Sequence, residues 1–498
     1  MRKIEIKPSY KEFCSLISQD FDLIPLFATF KLPNLDPLDL FKKYALDEPF
    51  AFFLDSGKGP QEIARFSYIG KDPELIFKGK KDEIEVINKE EGIRRYRGNI
   101  LKELQKILEK KRVAPIKGLP NFFSGGVGYF SYEMVYLFEN LPNLSKDDLN
   151  LPEIFFLFFR ELIAYDHCKK LVYIIITLDK KSFLVSSYEE TKDKIKEIYH
   201  LLNLKKIKPY QNQRVVKSSP KINYQSNFTK EDFEKIVKTA KEYIREGDIF
   251  QVNLSQRFEH QIHEHPFKIY EVLRSINPSP FAAYLSLGNL RVVSSSPERL
   301  LNVSGNKIQT RPIAGTRPRG RTKKEDRLLG EELSLDAKER AEHIMLVDLE
   351  RNDLGRICKY DSIFVNELMS LERYSHVIHI VSNVVGELKE EISLFDILKA
   401  TFPGGTITGT PKIRAMEIIE ELEPVKRGPY TGSIGWIGFN GHLDLNIAIR
   451  TIIIKGQTAY FQVGAGIVAD SSPEREYFET LHKAKALMKA LSIVRKSY

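Results

Sequence analysis

The pattern of apolar and polar residues divides the chain into two parts of different texture. In the first part, short apolar runs separated by turns predict strands, and one helix is predicted over 99–111. The predicted strands are 50–54, 65–69, 84–87, 125–132, 154–159 and 171–178. The last two are apolar at almost every position, which indicates buried strands, and both are too short to span a bilayer.

The second part begins with a helix signal. Thr229 is a candidate N-cap, an apolar stripe follows over 233–244, and Gly247 is a candidate C-cap. The strands predicted after this helix are 250–258, 290–295, 300–304 and 307–310. Neighbouring strands joined by short turns are typical of antiparallel sheets. The predicted class is therefore α+β, with helices outside the sheet, rather than a doubly wound fold.

Residues 204–227, between the two parts, are polar, rich in lysine and without apolar periodicity. This composition is typical of a linker or a surface excursion. We therefore predict an N-terminal region at 1–203 that packs on the rest, a linker at 204–227, and a larger region at 228–498.

The composition and charge exclude several classes of function. With 498 residues, of which 42% are hydrophobic and 29% charged, the chain has the make-up of a globular protein. Its net charge of +9 is spread along the sequence, so nucleic-acid binding is not expected, and the excess favours anionic substrates. Three cysteines far apart in sequence and an N-terminus without an apolar signal core predict free thiols, no membrane partner and a cytoplasmic protein.

Two acidic pairs carry the strongest chemical signal. Glu339/Glu342 and Glu476/Glu479 each have i, i+3 spacing in a predicted helix, so both carboxylates of a pair lie on one helix face. Four carboxylates on two helices suit a hard divalent cation such as Mg²⁺.

Each pair also has a purely structural interpretation. Asp336 can cap a helix in which Glu339 occupies the third position, as in a capping box. Ser472 and Pro473 predict a second helix start, where Glu476 complements the helix dipole.

A third acidic residue, Glu298, follows Pro297 on a turn after an apolar strand. The turn can simply end the strand. The functional interpretation is a carboxyl whose pKa is raised by nearby carboxylates, so that it can donate a proton.

Two glycine-containing segments and one arginine are further candidates for binding an anionic group. The loop 402–412, with Thr410 as the predicted cap and Pro411 as the first helical residue, presents N–H groups that could bind a carboxylate. Gly464 and Gly466 offer a second close approach of the backbone. Arg450 is the single charge in the apolar run 445–454 and needs an anionic partner.

With these residues in view, the chain resembles the chorismate-utilising enzymes. This family includes component I of anthranilate synthase, component I of aminodeoxychorismate synthase, and the isochorismate and salicylate synthases. The resemblance covers essentially the whole chain and is densest from 229 to 490. The matching segments are Gly247-Asp-Ile-Phe-Gln-Val-Asn-Leu-Ser255, Ser296-Pro-Glu-Arg299, Arg311-Pro-Ile-Ala-Gly-Thr316, Lys338-Glu-Arg-Ala-Glu-His343, Gly428-Pro-Tyr-Thr-Gly432, Ile447-Ala-Ile-Arg-Thr451, Gly464-Ala-Gly466 and Glu476-Tyr-Phe-Glu-Thr480.

The resemblance implies a large sandwich of two antiparallel sheets flanked by helices, with chorismate and Mg²⁺ bound in the 228–498 region. By position, Glu339, Glu342, Glu476 and Glu479 would hold the Mg²⁺, which would neutralise the ring carboxylate of chorismate. Glu298 would protonate the departing 4-hydroxyl, and His379 would orient the substrate. The substrate-binding set would be Gln251, Gly315, Thr316, Tyr430, Arg450, Gly464, Ala465, Gly466 and Lys483.

The residues at positions 251 and 314 help to distinguish which product the enzyme forms. Isochorismate and salicylate synthases carry a lysine at the position of Gln251, which activates water, whereas glutamine suits the members that use ammonia. The loop Phe402-Pro-Gly-Gly-Thr-Ile-Thr-Gly409 resembles that of aminodeoxychorismate synthases and favours 4-amino-4-deoxychorismate as the product. Some of those enzymes have a nucleophilic lysine at Ala314, where anthranilate synthases have alanine, so anthranilate formation stays an alternative.

The resemblance also implies partners. Because the sequence shows no glutaminase domain, ammonia would come from a separate glutamine amidotransferase subunit. The residues that match a tryptophan site in these enzymes are Leu54, Ser56, Asn277, Pro278, Ser279 and Pro280. A turn and a strand end explain them equally well, and Asp55 departs from the regulated pattern. A hypothesis of another class is a non-catalytic basic binding protein of the same fold, which would bind polyanions without needing Mg²⁺.

Overall fold

Two large antiparallel sheets form the framework of the protein. The computed structural model describes residues 4–32, 36–56, 59–60, 63–204, 224–374 and 377–494. The 13-stranded first sheet contains β1 (Ile6–Lys7), β2 (Leu23–Phe30), β3 (Phe50–Asp55), β4 (Phe66–Lys71), β10 (Glu161–Asp166), β11 (Leu171–Asp179), β12 (Gln225–Ser226), β13 (Gln251–Gln261), β14 (Phe281–Leu287), β15 (Leu290–Ser296), β21 (Gly409–Thr410), β24 (Thr451–Lys455) and β25 (Thr458–Ile467). The 12-stranded second sheet contains β5 (Leu75–Lys80), β6 (Glu83–Asn88), β7 (Gly92–Arg97), β8 (Gly125–Phe130), β9 (Ile154–Phe159), β16 (Arg299–Ser304), β17 (Lys307–Arg311), β18 (Ile313–Pro318), β19 (Phe364–Arg373), β20 (Val377–Glu387), β22 (Ser433–Gly438) and β23 (Leu443–Asn446).

Helices cover the outer faces of both sheets. They are α1 (Tyr10–Ile17), α2 (Pro37–Tyr44), α3 (Ile100–Ile107), α4 (Val185–Leu204), α5 (Lys230–Glu246), α6 (Pro266–Ile276), α7 (Lys323–Leu335), α8 (Ala337–Gly355), α9 (Leu394–Thr401), α10 (Lys412–Leu422) and α11 (Pro473–Val494). Helix α11 packs on β25, α5 and α6, and α8 packs on β18 and β20. The predicted α+β sandwich with outer helices is confirmed.

An aromatic and aliphatic core fills the space between the sheets. Phe52 and Leu285 of the first sheet belong to the same buried cluster as Leu157 and Trp436 of the second. Burial of such side chains removes apolar surface from water at about 25 cal/mol per Å², the main stabilising term for a sandwich. This core holds the strand ends in place, and the candidate site is built on those ends.

Both sheets contain strands from either side of residues 204–227. In the first sheet β3 pairs with β14, and in the second sheet β8 pairs with β22. Most of the predicted linker, 205–223, lies outside the described residues, so the proposed domain boundaries stay a prediction. None of the helices in the described ranges combines the length and apolar character needed to cross a bilayer.

Helix starts test the local predictions most directly. The Thr229 side chain accepts from the backbone of Asp232 at the start of α5, and Gly247 ends that helix with φ of 86°. Asp336 caps α8 by accepting from the N–H groups of Lys338 and Glu339. These three predictions are confirmed.

The predicted cap of α10 is wrong by one position. Pro411, not Thr410, occupies the N-cap with extended backbone angles, and the helix begins at Lys412. Thr410 instead pairs with Gln251 in the first sheet. That pairing, to a residue far away in sequence, takes Thr410 out of the helix.

Candidate active site

The predicted site residues come from strands of both sheets and from two helices. Gln251 begins β13, whose next residues pair with the glycine-containing end of β25 in the register Asn253 to Gly466 and Ser255 to Gly464. The other strand residues lie on β18 and β20, where Thr316 pairs with His379. The two acidic pairs lie in the first two turns of α8 and α11.

Three glycines allow polar groups to lie directly against the backbone. A methyl group on Gly464 would come within 2.8 Å of the Tyr430 hydroxyl, and one on Gly466 within 2.8 Å of the Gln251 amide nitrogen. At Gly315, which has φ of +65°, it would lie 3.0 Å from a carboxylate oxygen of Glu339. The intervening Ala465 is fully buried in the core. The backbone at these glycines is therefore part of the wall around the polar side chains.

Glu298 is a buried carboxyl in the turn between β15 and β16. Only 5% of the residue is exposed, and its Oε1 lies 3.4 Å from the N–H of Ile313. Burial raises its pKa to about 7, and the positive charge of Lys483 lowers it by a smaller amount. A carboxyl with this pKa holds a proton near neutral pH and can donate it to a leaving group.

His379 is a neutral, oriented imidazole. Burial lowers its pKa to about 4, and the charge of Arg450 lowers it further. Its Nδ1 lies 3.2 Å from the carbonyl of Gly315 and 3.0 Å from the hydroxyl of Thr316. Because a carbonyl only accepts, Nδ1 carries the proton, which leaves the lone pair of Nε2 free.

The two acidic helix turns act on each other electrostatically. Burial raises the pKa of Glu342, and the charges of Glu339 on the same helix and Glu479 on α11 raise it further. Burial likewise raises the pKa of Glu476, as does the charge of Glu479. Glu342 of α8 and Glu479 of α11 therefore lie within electrostatic range of each other.

These carboxylates have the chemistry that Mg²⁺ requires, although they are not gathered into a cluster. Within the described ranges, no three His, Cys, Asp or Glu side chains lie close enough together to hold a metal ion. Glu339 pairs with Arg317 at 3.1 Å and Glu479 with Lys483 at 2.8 Å. The four oxygen donors fit a hard cation, provided that Glu339 and Glu479 turn away from these ion pairs.

Arg450 and Lys483 form a connected cationic wall. Arg450 has a left-handed backbone with φ of 53°, and its guanidinium donates to the carbonyl of Lys483. The Lys483 ammonium lies 2.9 Å from the carbonyl of Gly464, beside the Tyr430 hydroxyl. Burial lowers the pKa of Arg450, the charge of Glu479 raises it by a smaller amount, and no carboxylate of the described residues lies at hydrogen-bond distance from its guanidinium. This wall can bind anionic groups of a substrate.

The residues predicted to hold tryptophan lie in another region. Leu54, Ser56 and Pro280 line a cavity of about 560 Å³ together with Trp436. Asn277, Pro278 and Ser279 are not among the described residues that line it, and Asn277 donates to the hydroxyl of Ser295 instead. The structure thus brings together half of this set.

The sequence interpretation missed a buried ion pair behind Tyr430. Arg427 and Glu423 have side chains that are 1% and 3% exposed, and two N–H···O bonds of 2.9 and 2.6 Å join them. Their i, i+4 spacing was visible in the sequence, but it is common on exposed helix surfaces and does not indicate burial.

The two-sheet α+β sandwich carries a buried acid, two acidic helix turns and a cationic wall, a combination suited to an enzyme that acts on small anionic molecules. Comparison with known proteins agrees, because residues 49–489 match the family described as chorismate binding enzyme. The chain belongs to this family.

Relatives with two different names are similar over nearly the full length. The chain is 46% identical to anthranilate synthase component 1 of Acetivibrio thermocellus, over 96% of this chain and 97% of the relative. It is 44% identical to aminodeoxychorismate synthase component 1 of Bacillus subtilis strain 168, over 92% and 94%. The solved anthranilate synthase component I of Streptococcus pneumoniae TIGR4 superposes with a TM-score of 0.75 at 35% identity, over 86% of this chain and 93% of that one.

Proposed function

We propose that this chain catalyses the Mg²⁺-dependent amination of chorismate to 4-amino-4-deoxychorismate, with ammonia from a separate glutamine amidotransferase subunit. One observation carries the proposal. Glu298 is a buried acid whose pKa is about 7, and the neutral amide of Gln251 is buried in the same predicted site. This arrangement can protonate a leaving hydroxyl, and the Gln251 amide cannot act as a base that activates water.

Each group has a role that follows from its chemistry. Arg450 and Lys483 bind the carboxylates of chorismate, and the Tyr430 hydroxyl adds a neutral donor beside Gly464. Glu298 gives its proton to the departing 4-hydroxyl, so that water leaves rather than hydroxide. A bound Mg²⁺ held by Glu339, Glu342, Glu476 and Glu479 would neutralise the ring carboxylate.

Gln251 supports ammonia rather than water as the nucleophile. Its amide nitrogen lies 3.3 Å from Oε1 of Glu342, and the residue is 6% exposed. An amide has no accessible pKa for proton abstraction, whereas ammonia is already nucleophilic and needs only a place to bind. The enzyme therefore needs a supply of unprotonated ammonia, which is scarce at neutral pH, and this supports an amidotransferase partner.

Asp55 supports the 4-amino product. Its carboxylate accepts from Ser67 at 3.0 Å and from Tyr270 at 3.3 Å, and it pairs with Arg274. With these donors in place, it is not free to bind the ammonium group of an amino acid. A tryptophan-regulated site at Asp55 is therefore not expected, which fits an enzyme that does not serve tryptophan synthesis. Anthranilate formation remains the second candidate, because relatives of both names are almost equally similar and Ala314 offers no nucleophile.

The deciding experiment mixes the purified chain with chorismate, Mg²⁺ and ammonium at alkaline pH, where free ammonia is abundant. We expect a product that yields p-aminobenzoate only after a separate lyase is added. Fluorescent anthranilate together with pyruvate would establish the second candidate instead. No turnover at any ammonia concentration, with salt-sensitive binding of polyanions, would leave only the binding-protein hypothesis.

A further inference from the structure

Arg427 is fixed in its plane by an unusually complete set of acceptors. Its Nε and Nη2 donate to the two carboxylate oxygens of Glu423 at 2.9 and 2.6 Å. Nη2 also donates to the carbonyl of Asn253 at 2.7 Å, and Nη1 donates to the carbonyl of Ile407 at 3.0 Å and the hydroxyl of Thr431 at 3.3 Å. All five N–H donors of the guanidinium are used, so its plane cannot rotate.

Glu423 is held just as firmly. Its Oε1 also accepts from the backbone N–H of Ser255 at 2.9 Å and from the Ser255 hydroxyl at 2.8 Å. The ion pair therefore joins β13, the glycine-rich loop and the end of α10 to the segment that carries Tyr430. A buried ion pair with this many partners is rigid, because moving either charge would leave donors or acceptors unpaired.

Two aromatic rings lie close to the guanidinium of Arg427. Its central carbon lies 4.8 Å from the ring centre of Tyr132 and 5.8 Å from that of Tyr430. Cations over aromatic rings at these distances are attracted by the electron density of the ring face. The ring of Tyr430 is thus set against a plane that cannot rotate, with its hydroxyl beside Gly464.

The charges around Tyr430 act on its pKa in opposite directions. Burial raises the pKa of Tyr430, the charge of Arg427 lowers it, that of Glu423 raises it and that of Arg450 lowers it. Because the charges of Arg427 and Glu423 oppose each other, the ion pair acts on Tyr430 through the position of the ring rather than through the acidity of the hydroxyl.

We propose that Arg427, fixed by Glu423, is a positioning residue that aims the Tyr430 hydroxyl at an anionic group of the substrate. This inference rests on the proposed function, since it assumes that Tyr430 contacts chorismate. The Arg427 side chain is 1% exposed and all its N–H donors are used within the protein, so none is left for the substrate. Its effect must therefore pass through Tyr430.

A double-mutant cycle tests this dependence. The variants are Tyr430→Phe, Arg427→Lys and the double variant, each assayed for kcat, KM and the dissociation constant of chorismate with Mg²⁺ present. We expect each single variant to weaken chorismate binding about tenfold, the loss expected for one hydrogen bond to a charged group. The double variant should bind chorismate as tightly as the Tyr430→Phe enzyme, because in both proteins there is no Tyr430 hydroxyl for Arg427 to position.

Additive losses in the cycle would overturn the proposal and leave Arg427 with a purely structural role. If Tyr430→Phe alone leaves chorismate binding unchanged, the assumed contact of Tyr430 with substrate fails, even if the enzyme still aminates chorismate. Should Arg427→Lys not fold, Glu423→Gln takes its place in the same cycle, because it loosens Arg427 without removing it.

Arg257 provides a matched control. It is buried, pairs with both carboxylate oxygens of Asp148, and lies 5.6 Å from the ring centre of Tyr460. It therefore reproduces the arrangement of Arg427 without a site tyrosine. Arg257→Lys should leave the affinity for chorismate unchanged, and a loss equal to that of Arg427→Lys would mean that the cycle reports general destabilisation.

Discussion

Two regions of the same sheet bury a carboxylate in opposite ways. Asp55, at the end of β3, is held by Arg274, Ser67 and Tyr270. Glu298, in the turn after β15, has no cation at hydrogen-bond distance among the described residues; the N–H of Ile313 lies 3.4 Å from its Oε1, and the Thr406 hydroxyl also lowers its pKa. Both side chains are shielded from water, but only one has its charge compensated locally.

This difference separates a carboxylate that stabilises the fold from one that is available for chemistry. A buried charge without a partner costs several kcal/mol, so the group keeps its proton instead. The pKa of about 7 at Glu298 is the result. The fold tolerates this cost because an acid that holds a proton at neutral pH is what the proposed reaction needs.

The substitution Glu298→Gln has the largest expected effect and tests directly whether Glu298 is a proton donor. The variant keeps the size of the side chain and the neutral form but has no proton to donate. We expect kcat to fall about 10³-fold, within the range for loss of a general acid, whereas chorismate should bind as before. Turnover with ammonium and equilibrium binding of chorismate measure the two quantities.

Glu153 is a suitable control for that variant. It is buried, its pKa is also raised by burial, and its carboxylate accepts from the N–H of Lys81 at 3.0 Å, away from the candidate site. Glu153→Gln should leave kcat unchanged. If Glu298→Gln turns over like the Glu153 variant, Glu298 is not the acid.

Asp55→Ala tests the other half of the comparison. The substitution leaves Arg274, whose side chain is 19% exposed, without its buried partner. We expect the free energy of unfolding to fall by about 3–5 kcal/mol, as for other broken buried ion pairs. Urea titration measures this loss, and kcat/KM below the unfolding transition should stay within twofold of the parent enzyme.

Asp36, on the exposed side of Arg274, provides the control. Asp36 pairs with Arg274 at 2.9 Å, but its side chain is 48% exposed. Asp36 also caps α2 by accepting from the N–H of Leu38, so the control is Asp36→Asn, which keeps that acceptor and should cost less than about 1 kcal/mol. If Asp55→Ala lowers turnover without lowering stability, Asp55 has a role in catalysis and not in stabilising the fold.

How much of this could be predicted from sequence depends on where each residue finds its partners. The caps at Thr229, Gly247 and Asp336 were predictable because each cap bonds to the backbone within three residues. Thr410 was assigned wrongly because its partner is Gln251, distant in sequence. Local chemistry is visible in a sequence, but pairing between remote strands is not.

The candidate site, too, could be predicted only in part from the sequence. Types and spacing of residues were enough to select Glu298 and the two acidic pairs. The roles of Arg427 and Asp55 were not visible, because each depends on donors or acceptors from several separate elements. A buried ion pair has the same sequence signature as an exposed one, so only the packed structure distinguishes them.

The pH dependence of stability sharpens the comparison further. The folded-state pKa of Glu298, about 7, is above its ordinary value of 4.5. The folded protein therefore binds this proton more tightly, and the stability it contributes is full below pH 4.5 and lost as pH rises through 7. Glutamine mimics the protonated form, so Glu298→Gln should be more stable than the parent by up to about 3 kcal/mol at pH 8.

Urea titrations of both proteins at pH 5 and pH 8 measure this difference. The gap in unfolding free energy should open as the pH rises. If the difference in unfolding free energy is the same at pH 5 and pH 8, the pKa of Glu298 is not raised in the folded protein, even if turnover depends on this residue.

The smallest expected effect concerns tryptophan. The cavity lined by Leu54, Ser56 and Pro280 is next to Asp55, whose carboxylate is already held by protein donors. An amino acid entering there would have to displace Arg274 to pair its ammonium group with Asp55, which costs more than one exchanged ion pair returns. We therefore expect millimolar tryptophan to leave the rate of chorismate amination unchanged. Inhibition at micromolar tryptophan, abolished by Ser56→Ala, would show instead that this region is a regulatory site and would favour anthranilate as the product.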